Sequence, residues 1–247
     1  MASADGEGKS GRPANELLRR LSPRDFALIS PYLDQFDASA DRILYNPGDP
    51  VESVHFPCGI SAAAFVVAID DGGEFDAVLI GREGAAGGIV SHGSLPAFSR
   101  ITVRFPGPFV RLPVARLEAA KGRSRALAGL FARYADCLLA QIIQSAACNA
   151  THSIEQRAAK WIIATAERTE RDQVPLTHEQ LGMLLGAGRS YVSRVIQRFK
   201  GERLVETRRK ALLVKNAEGL QAKACLCDAV SKRHFDEVMD GLYPKED

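Results

Sequence analysis

Between Thr177 and Val214 the chain carries a pattern that few folds can satisfy. Thr177-His178-Glu179-Gln180 has the form of a capping box, with the threonine oxygen capping the Gln180 amide and Gln180 reaching back. A short helix follows, with Leu181, Leu184 and Leu185 on its inner face. Gly186-Ala187-Gly188 breaks that helix and leaves a tight turn. A second helix is predicted from about Arg189 to Lys200, with Val192, Val195, Ile196 and Phe199 at the spacing of one buried stripe. Leu204-Val205-Glu206 and Ala211-Leu212-Leu213-Val214 then read as two strands, with Arg208-Arg209-Lys210 at their tip. Two short helices, a turn and a hairpin make a winged helix-turn-helix.

The face left outside suits a nucleic acid. Ser190, Tyr191, Arg194, Gln197 and Arg198 point away from the apolar stripe. Arginine can bind guanine O6 and N7 together, and serine or glutamine can read other base edges. A basic hairpin tip suits phosphates, which give affinity without sequence information. Charge separates this region from the rest. Residues 188–215 hold nine basic and two acidic residues, a local balance of +7, although the whole chain carries only +2. Residues 41–108 hold four arginines and eight acids, a balance of −4. A basic head beside an acidic module is the footprint of a DNA binder with a separate, non-binding part.

The remainder of the 247-residue chain has room for a second domain. Residues 1–13 are Gly/Ser-rich and polar and read as a disordered tail. Residues 14–35 have a helical rhythm, with Pro23 starting a new helix. From Ile43 to Leu112 short apolar runs alternate with turn residues: 43–45, 54–56, 62–69, 75–80, 101–105 and 109–112. Such spacing predicts an all-β barrel or sandwich of the jelly-roll kind. From Ser124 to Ala150 there is no Gly or Pro except Gly129, and Leu127, Phe131, Tyr134, Leu138 and Ile142 recur at spacings of four and three. One long helix is expected, packed either on its own domain or against a second copy. A further helix is expected at Ile154–Arg168 and a loop at Arg171–Pro175.

No apolar run reaches the roughly 18 residues that span a bilayer, and the opening residues show no secretory signal. Five cysteines at irregular spacing do not form a disulfide framework, so reduced thiols in a cytoplasmic protein are expected. Cys225-Leu226-Cys227 with His234 falls short of a metal motif, because no second cysteine pair lies nearby. Cys137 and Cys148 read as small packing residues on the long helix, and His55 and His92 as structural rather than haem ligands. Trp161 reads as core. No nucleophile–base pair, phosphate loop or metal-hydrolase motif is present, so no enzymatic activity is expected.

Taken together, these segments resemble the cyclic-AMP receptor protein/fumarate-nitrate regulator (CRP/FNR) family. The likeness runs from about Leu17 to Val214 and is carried by Leu176–Gly186 with Arg189–Arg194, by Asn46-Pro47-Gly48-Asp49 with Val54-His55-Phe56, and by Glu155-Gln156-Arg157-Ala158. It implies an α+β chain: a cyclic-nucleotide-binding-type β roll (jelly roll) at 14–123, a dimerisation helix at 124–150, a winged helix-turn-helix at 151–218 and an extension at 219–247. It places Arg189, Ser190 and Arg194 at DNA bases, with Ser190 standing where many members carry glutamate and Gly188 where serine is usual. Thr177, His178, Tyr191, Ser193, Arg198, Arg208, Arg209 and Lys210 are then expected at phosphates or the groove edge, and Leu127, Phe131, Tyr134, Leu138 and Ile142 at the dimer interface. The family's phosphate cassette is matched only loosely by Gly81–Gly88, and Arg100 is followed by Ile101 rather than a small residue. A cyclic phosphate needs a buried cation and several amide donors, so cyclic nucleotide control is not expected. No cysteine precedes Cys58, so the family's N-terminal iron–sulfur cluster is absent.

The expected function is a homodimeric, sequence-specific transcription regulator that reads a near-palindromic operator. Its partners would be double-stranded DNA, a second copy and RNA polymerase, with no membrane partner and no cofactor. The alternative is a sensor or interaction protein of the same fold, acting through protein partners or a redox or metal signal.

Overall fold

A computed structural model describes residues 11–68, 73–90, 93, 95–169 and 172–243. His92 and Arg171 lie outside the described residues, as does nearly all of the expected N-terminal tail. The chain divides into two compact units. One takes the chain up to Val66, then Val78–Ala140 and the end from His234; the other takes Val67–Ala77 and Gln141–Arg233.

The first unit opens with two short helices, α1 (Glu16–Arg20) and α2 (Pro23–Ile29), capped by the Asn15 and Ser22 side chains. Asn15 is fully buried, and its amide also donates to the Pro57 and Gly84 carbonyls at 2.9 Å. Seven strands follow in the chain: β1 (Asp34–Ala38), β2 (Ile43–Tyr45), β3 (Ser53–Pro57), β4 (Ala62–Ala68), β5 (Glu74–Ile80), β6 (Arg100–Phe105) and β7 (Gly107–Pro113), of which the end of β4 and the start of β5, within Val67–Ala77, fall in the second unit. They form two sheets, ordered β1-β7-β3 and β2-β6-β4-β5. The six apolar runs of the sequence account for six strands. The seventh, β1, has the sequence Asp-Gln-Phe-Asp-Ala and pairs antiparallel with β7 from Asp34↔Arg111 to Ala38↔Gly107. Only Phe36 and Ala38 in β1 are apolar, so hydrophobic patterning alone does not find it.

Helix α3 (Val114–Arg123), also missing from the sequence reading, leads into α4 (Arg125–Thr151). By length and composition α4 is apolar enough to cross a membrane, although Arg133, Asp136, Gln141 and Gln144 divide it into short apolar runs. Its interior-facing residues differ from those expected. Leu127, Phe131 and Tyr134 were expected at a dimer interface, but they are buried in the chain's own core with Leu17, Phe56, Leu112 and Leu117. The Tyr134 hydroxyl accepts from the Ala85 amide (2.9 Å) and donates to the Ala85 carbonyl (3.1 Å). A phenol placed among apolar side chains needs such partners. Leu138 is half-buried, and the free apolar face of α4 is Leu139, Ile142 and Ile143.

The tyrosine also explains the glycine-rich stretch. A Cβ on Gly84 would lie 2.2 Å from the Tyr134 hydroxyl oxygen, and one on Gly88 would lie 2.5 Å from Val114. Gly87 has a left-handed φ of 94° and approaches the Ser53 carbonyl. These glycines let neighbouring side chains and backbone close in.

The second unit contains the end of α4, α5 (Ile154–Thr169), β8 (Gln173–Val174), α6 (His178–Leu185), α7 (Arg189–Gly201), β9 (Val205–Arg208), β10 (Ala211–Val214), α8 (Ala217–Lys223) and the start of α9 (Cys227–Met239). β8, β10 and β9 form one antiparallel sheet in that order, with β8 lying where a loop was expected. In this unit Cys148 is a buried packing residue, as expected, and it packs against Cys225 and Cys227. Their histidine neighbour is His152, whereas His234 is exposed.

Candidate nucleic-acid interface

The capping box predicted for α6 is present. Thr177 Oγ1 accepts from the Gln180 amide (3.1 Å), and Gln180 Oε1 accepts from the Thr177 amide (3.0 Å). Two otherwise orphaned donors are satisfied, which fixes where α6 starts. Its end is fixed by Gly186, whose φ of 60° and ψ of 39° lie in the left-handed region that glycine enters without a Cβ penalty. The Arg157 guanidinium donates to the Leu185 carbonyl at 2.8 Å, tying α5 to this corner. The Ala187 amide donates to the Gly182 carbonyl at 3.0 Å, closing the turn.

The turn delivers α7 with one face buried and one free. Val192, Val195, Ile196 and Phe199 are buried as expected. Arg189, Ser190, Tyr191, Arg194, Gln197 and Arg198 are exposed. Gly188 precedes α7 and offers no side-chain cap, so the Arg189 and Ser190 amides are left for an anion, while the Tyr191 amide donates to the Gly188 carbonyl at 2.9 Å. The Arg194 guanidinium stacks over the Tyr191 ring, 5.2 Å from its centroid. This cation–π contact limits the directions the arginine can take.

Besides Thr177 in the capping box, four of the expected contact residues, His178, Ser193, Arg198 and Arg208, have partners within the chain. His178 Nδ1 and Ser193 Oγ lie 3.0 Å apart, so these residues brace α6 against α7. Burial, then the charges of Arg189 and Lys200, push the His178 pKa down and favour its neutral form. Arg198 is ion-paired with Glu155, and Lys223 joins the same carboxylate at 3.6 Å. At the wing, β9 pairs with β10 from Arg208↔Ala211, leaving Arg209 and Lys210 as the two-residue tip. Arg208 is paired with Glu206 at 3.2 Å, whereas Arg209 and Lys210 are exposed. Lys210 has a left-handed φ of 57°, which turns the strand back at the tip. Among the described residues, Arg189, Arg194 and Lys200 on the helix and Arg209 and Lys210 on the wing are exposed cations without an ion-pair partner.

Residues 156–223 match the model of the Crp-like helix-turn-helix domain. Solved structures share the fold across most of the chain. FixK2 from Bradyrhizobium japonicum superposes with a TM-score of 0.63 at 16% identity, over 78% of this chain and 98% of that one. TTHB099, a CRP-family transcriptional regulator from Thermus thermophilus, gives 0.66 at 16% identity, over 77% and 96%. TTHA1359, a CRP/FNR-family transcriptional regulator from the same organism, gives 0.63 at 16% identity, over 77% and 98%. No curated protein matches the chain in sequence.

Proposed function

We propose that the chain, whose residues 156–223 match the Crp-like helix-turn-helix domain and whose fold is shared with solved CRP/FNR-family regulators, is a dimeric transcription regulator that binds DNA in sequence-specific fashion and acts in the cytoplasm. The observation that carries this reading is α7: a helix held by four buried side chains, with Arg189, Ser190 and Arg194 free on its outer face. In this reading α7 enters the major groove and those three residues meet base edges. Arg209 and Lys210 reach the flanking phosphates, and Tyr191 and the Thr177 hydroxyl lie at the groove edge. His178 and Ser193 act as the brace between the helices, and Arg198 approaches DNA only by leaving Glu155.

Two copies would place two such helices about one helical turn apart on a near-palindromic site. The exposed stripe of Leu139, Ile142 and Ile143 on α4, at i, i+3 and i+4, supports pairing through that helix. Ile143→Glu is expected to shift the protein to monomer in sedimentation equilibrium and to weaken operator binding. A dimer that survives this change would remove α4 as the interface. RNA polymerase is the partner through which a bound regulator would act. Control by cyclic nucleotide is not part of the proposal, because Gly81–Gly88 matches the family's phosphate cassette only loosely and Arg100 is followed by Ile101 rather than a small residue.

Selection of bound sites from a random DNA pool tests the function directly. On the selected site, Arg194→Ala is expected to cost about 1–3 kcal/mol and to relax the base preference at one position of each half-site. Arg209→Ala is expected to weaken selected and scrambled DNA alike and to lower the salt slope. An unchanged preference after Arg194→Ala would remove that residue from base reading.

A further inference from the structure

Three of the chain's five cysteines and one histidine converge in the second unit. Cys148 and His152 stand one helical turn apart at the end of α4, and the His152 amide donates to the Cys148 carbonyl at 3.1 Å. Cys225 and Cys227 lie between α8 and the first residue of α9. All three cysteines are buried and His152 is half-buried.

The distances suit a single ion. Cys148 Sγ lies 3.6 Å from Cys225 Sγ, and Cys227 Sγ lies 3.5 Å from His152 Nδ1. The four candidate ligand atoms all fall within 4.8 Å of one another. Tetrahedral bonds of about 2.3 Å to sulfur and about 2.0 Å to nitrogen require neighbouring ligands to lie roughly 3.5–3.8 Å apart. The two closest pairs already have that spacing, before any ion draws the ligands together.

A second observation concerns charge. Lys160 is only 9% exposed, and its ammonium sits 3.7 Å from Cys148 Sγ and 4.7 Å from the centroid of the Trp161 ring. Among the described residues it has no carboxylate partner. A buried cation requires compensation. Three thiolates around a divalent ion carry one net negative charge, which Lys160 would balance while donating to a ligating sulfur as outer-shell partners do. A cleft lined by Lys160, Gln221, Ala224, Cys225 and Asp228 runs beside the cluster and supplies an entry path.

We propose that Cys148, His152, Cys225 and Cys227 form a binding site for a zinc-class divalent metal ion. With four protein ligands the site is closed, so its role is structural: the ion joins the end of α4 to the segment between α8 and α9. Three soft thiolates and one imidazole favour zinc over magnesium or calcium. The ion releases the thiol protons on binding and takes part in no redox step. The site also stands near the helix-turn-helix corner, because Arg157, one turn before Lys160 on α5, holds the Leu185 carbonyl at the end of α6.

The proposal does not depend on DNA binding, and its test does not use DNA. The full chain, reduced and treated with chelator, is titrated with Co²⁺ and then with Zn²⁺. The expected result is one Co²⁺ per chain, with thiolate charge-transfer bands and intense tetrahedral ligand-field bands that Zn²⁺ abolishes. Zn²⁺ should also raise the melting temperature of the full chain, since an ion bound only by the folded state stabilises it by mass action. Cys148→Ser and Cys227→Ser should each lose the spectrum and the thermal shift, while Cys58→Ser and Cys137→Ser keep both. Lys160→Met should keep the spectrum with affinity lowered about tenfold or more. Should the ligand variants fail to fold, the wild-type titration decides alone. Failure of the wild type to bind Co²⁺, an octahedral spectrum, or binding retained without Cys148 and Cys227 would overturn the proposal. So would a Cys148–Cys225 disulfide in protein purified without oxidant or reductant.

Discussion

Gly182→Val is expected to destabilise the helix-turn-helix by about 3 kcal/mol and to abolish DNA binding at concentrations where the wild type saturates. Gly182 lies on the buried side of α6, and a Cβ there would stand 2.7 Å from the Ala187 carbonyl oxygen. That neighbour is backbone in the middle of the turn. It cannot swing aside as the end of a side chain can, and the turn is closed beside it by the hydrogen bond from the Ala187 amide to the Gly182 carbonyl. The added methyls of valine would also press on Val192, which is 3.8 Å from the Cβ position. Relief requires opening the turn, which re-aims α7 and with it Arg189 and Arg194. Gly201, at the end of α7, is the matched control, because a Cβ there meets nothing within 4 Å. Gly201→Ala should be neutral or stabilise by up to about 1 kcal/mol, from reduced freedom of the unfolded chain. Urea unfolding of the two variants, paired with binding to a selected DNA site, checks both signs. Equal effects at Gly182 and Gly201 would show that the close approach does not constrain the turn.

These two glycines also show why the DNA-facing head was the most legible part of the chain. A capping box, a left-handed glycine and a stripe of apolar residues are local signals, each set within a few residues of the structure it specifies. Hence α6, α7, β9 and β10 fall where the sequence places them. The strands β2 to β7 were legible for the same reason, because turn residues separate them. What local pattern cannot report is which partner a face meets. The α4 periodicity identifies Leu127, Phe131 and Tyr134 as apolar and aligned, yet only the fold shows that they face the β sheets and leaves Leu139, Ile142 and Ile143 outside. β1 escaped because its pairing with β7, rather than its own hydrophobicity, makes it a strand. The cysteine cluster escaped through distance. Cys148 precedes Cys225 by 77 positions, although Cys148-x-x-x-His152 on a helix was itself a readable ligand pair. The partners of His178, Ser193 and Arg198 were equally hidden, since each bond joins residues well separated in sequence.

Acidification is expected to weaken the first unit through His55. This histidine lies on β3, is 7% exposed, and packs edge-on against Phe36 and Tyr45, with ring centroids 6.1 and 5.5 Å away. Its Nδ1 is buried and has no hydrogen-bond partner among the described residues. Burial first, then the charges of Arg111 and Arg42, push its pKa from 6.5 down to about 4. Asp34 offsets part of this field by pairing with Arg111 at 2.6 Å. Between the two pKa values the unfolded chain takes up a proton at His55 that the folded chain refuses, so stability falls as pH falls. The contribution is complete above about pH 6.5 and is lost progressively down to the folded pKa. From pH 7 to pH 5 the loss attributable to His55 is about 2 kcal/mol. Other groups titrate over the same range, among them His178, whose lowered pKa acts in the same direction. The measurement is therefore a difference between proteins. Urea unfolding of the wild type and of His55→Phe is compared at pH 7 and at pH 5. Phenylalanine keeps the aromatic packing and removes the titration, so the variant should gain on the wild type by about 2 kcal/mol across that interval, whatever its stability at pH 7. His55→Gln, which removes the titration but keeps a polar side chain, should gain by a similar amount. Parallel losses in all three proteins would mean that His55 accepts its proton as readily in the fold as in water, and that the burial of its ring does not hold it neutral.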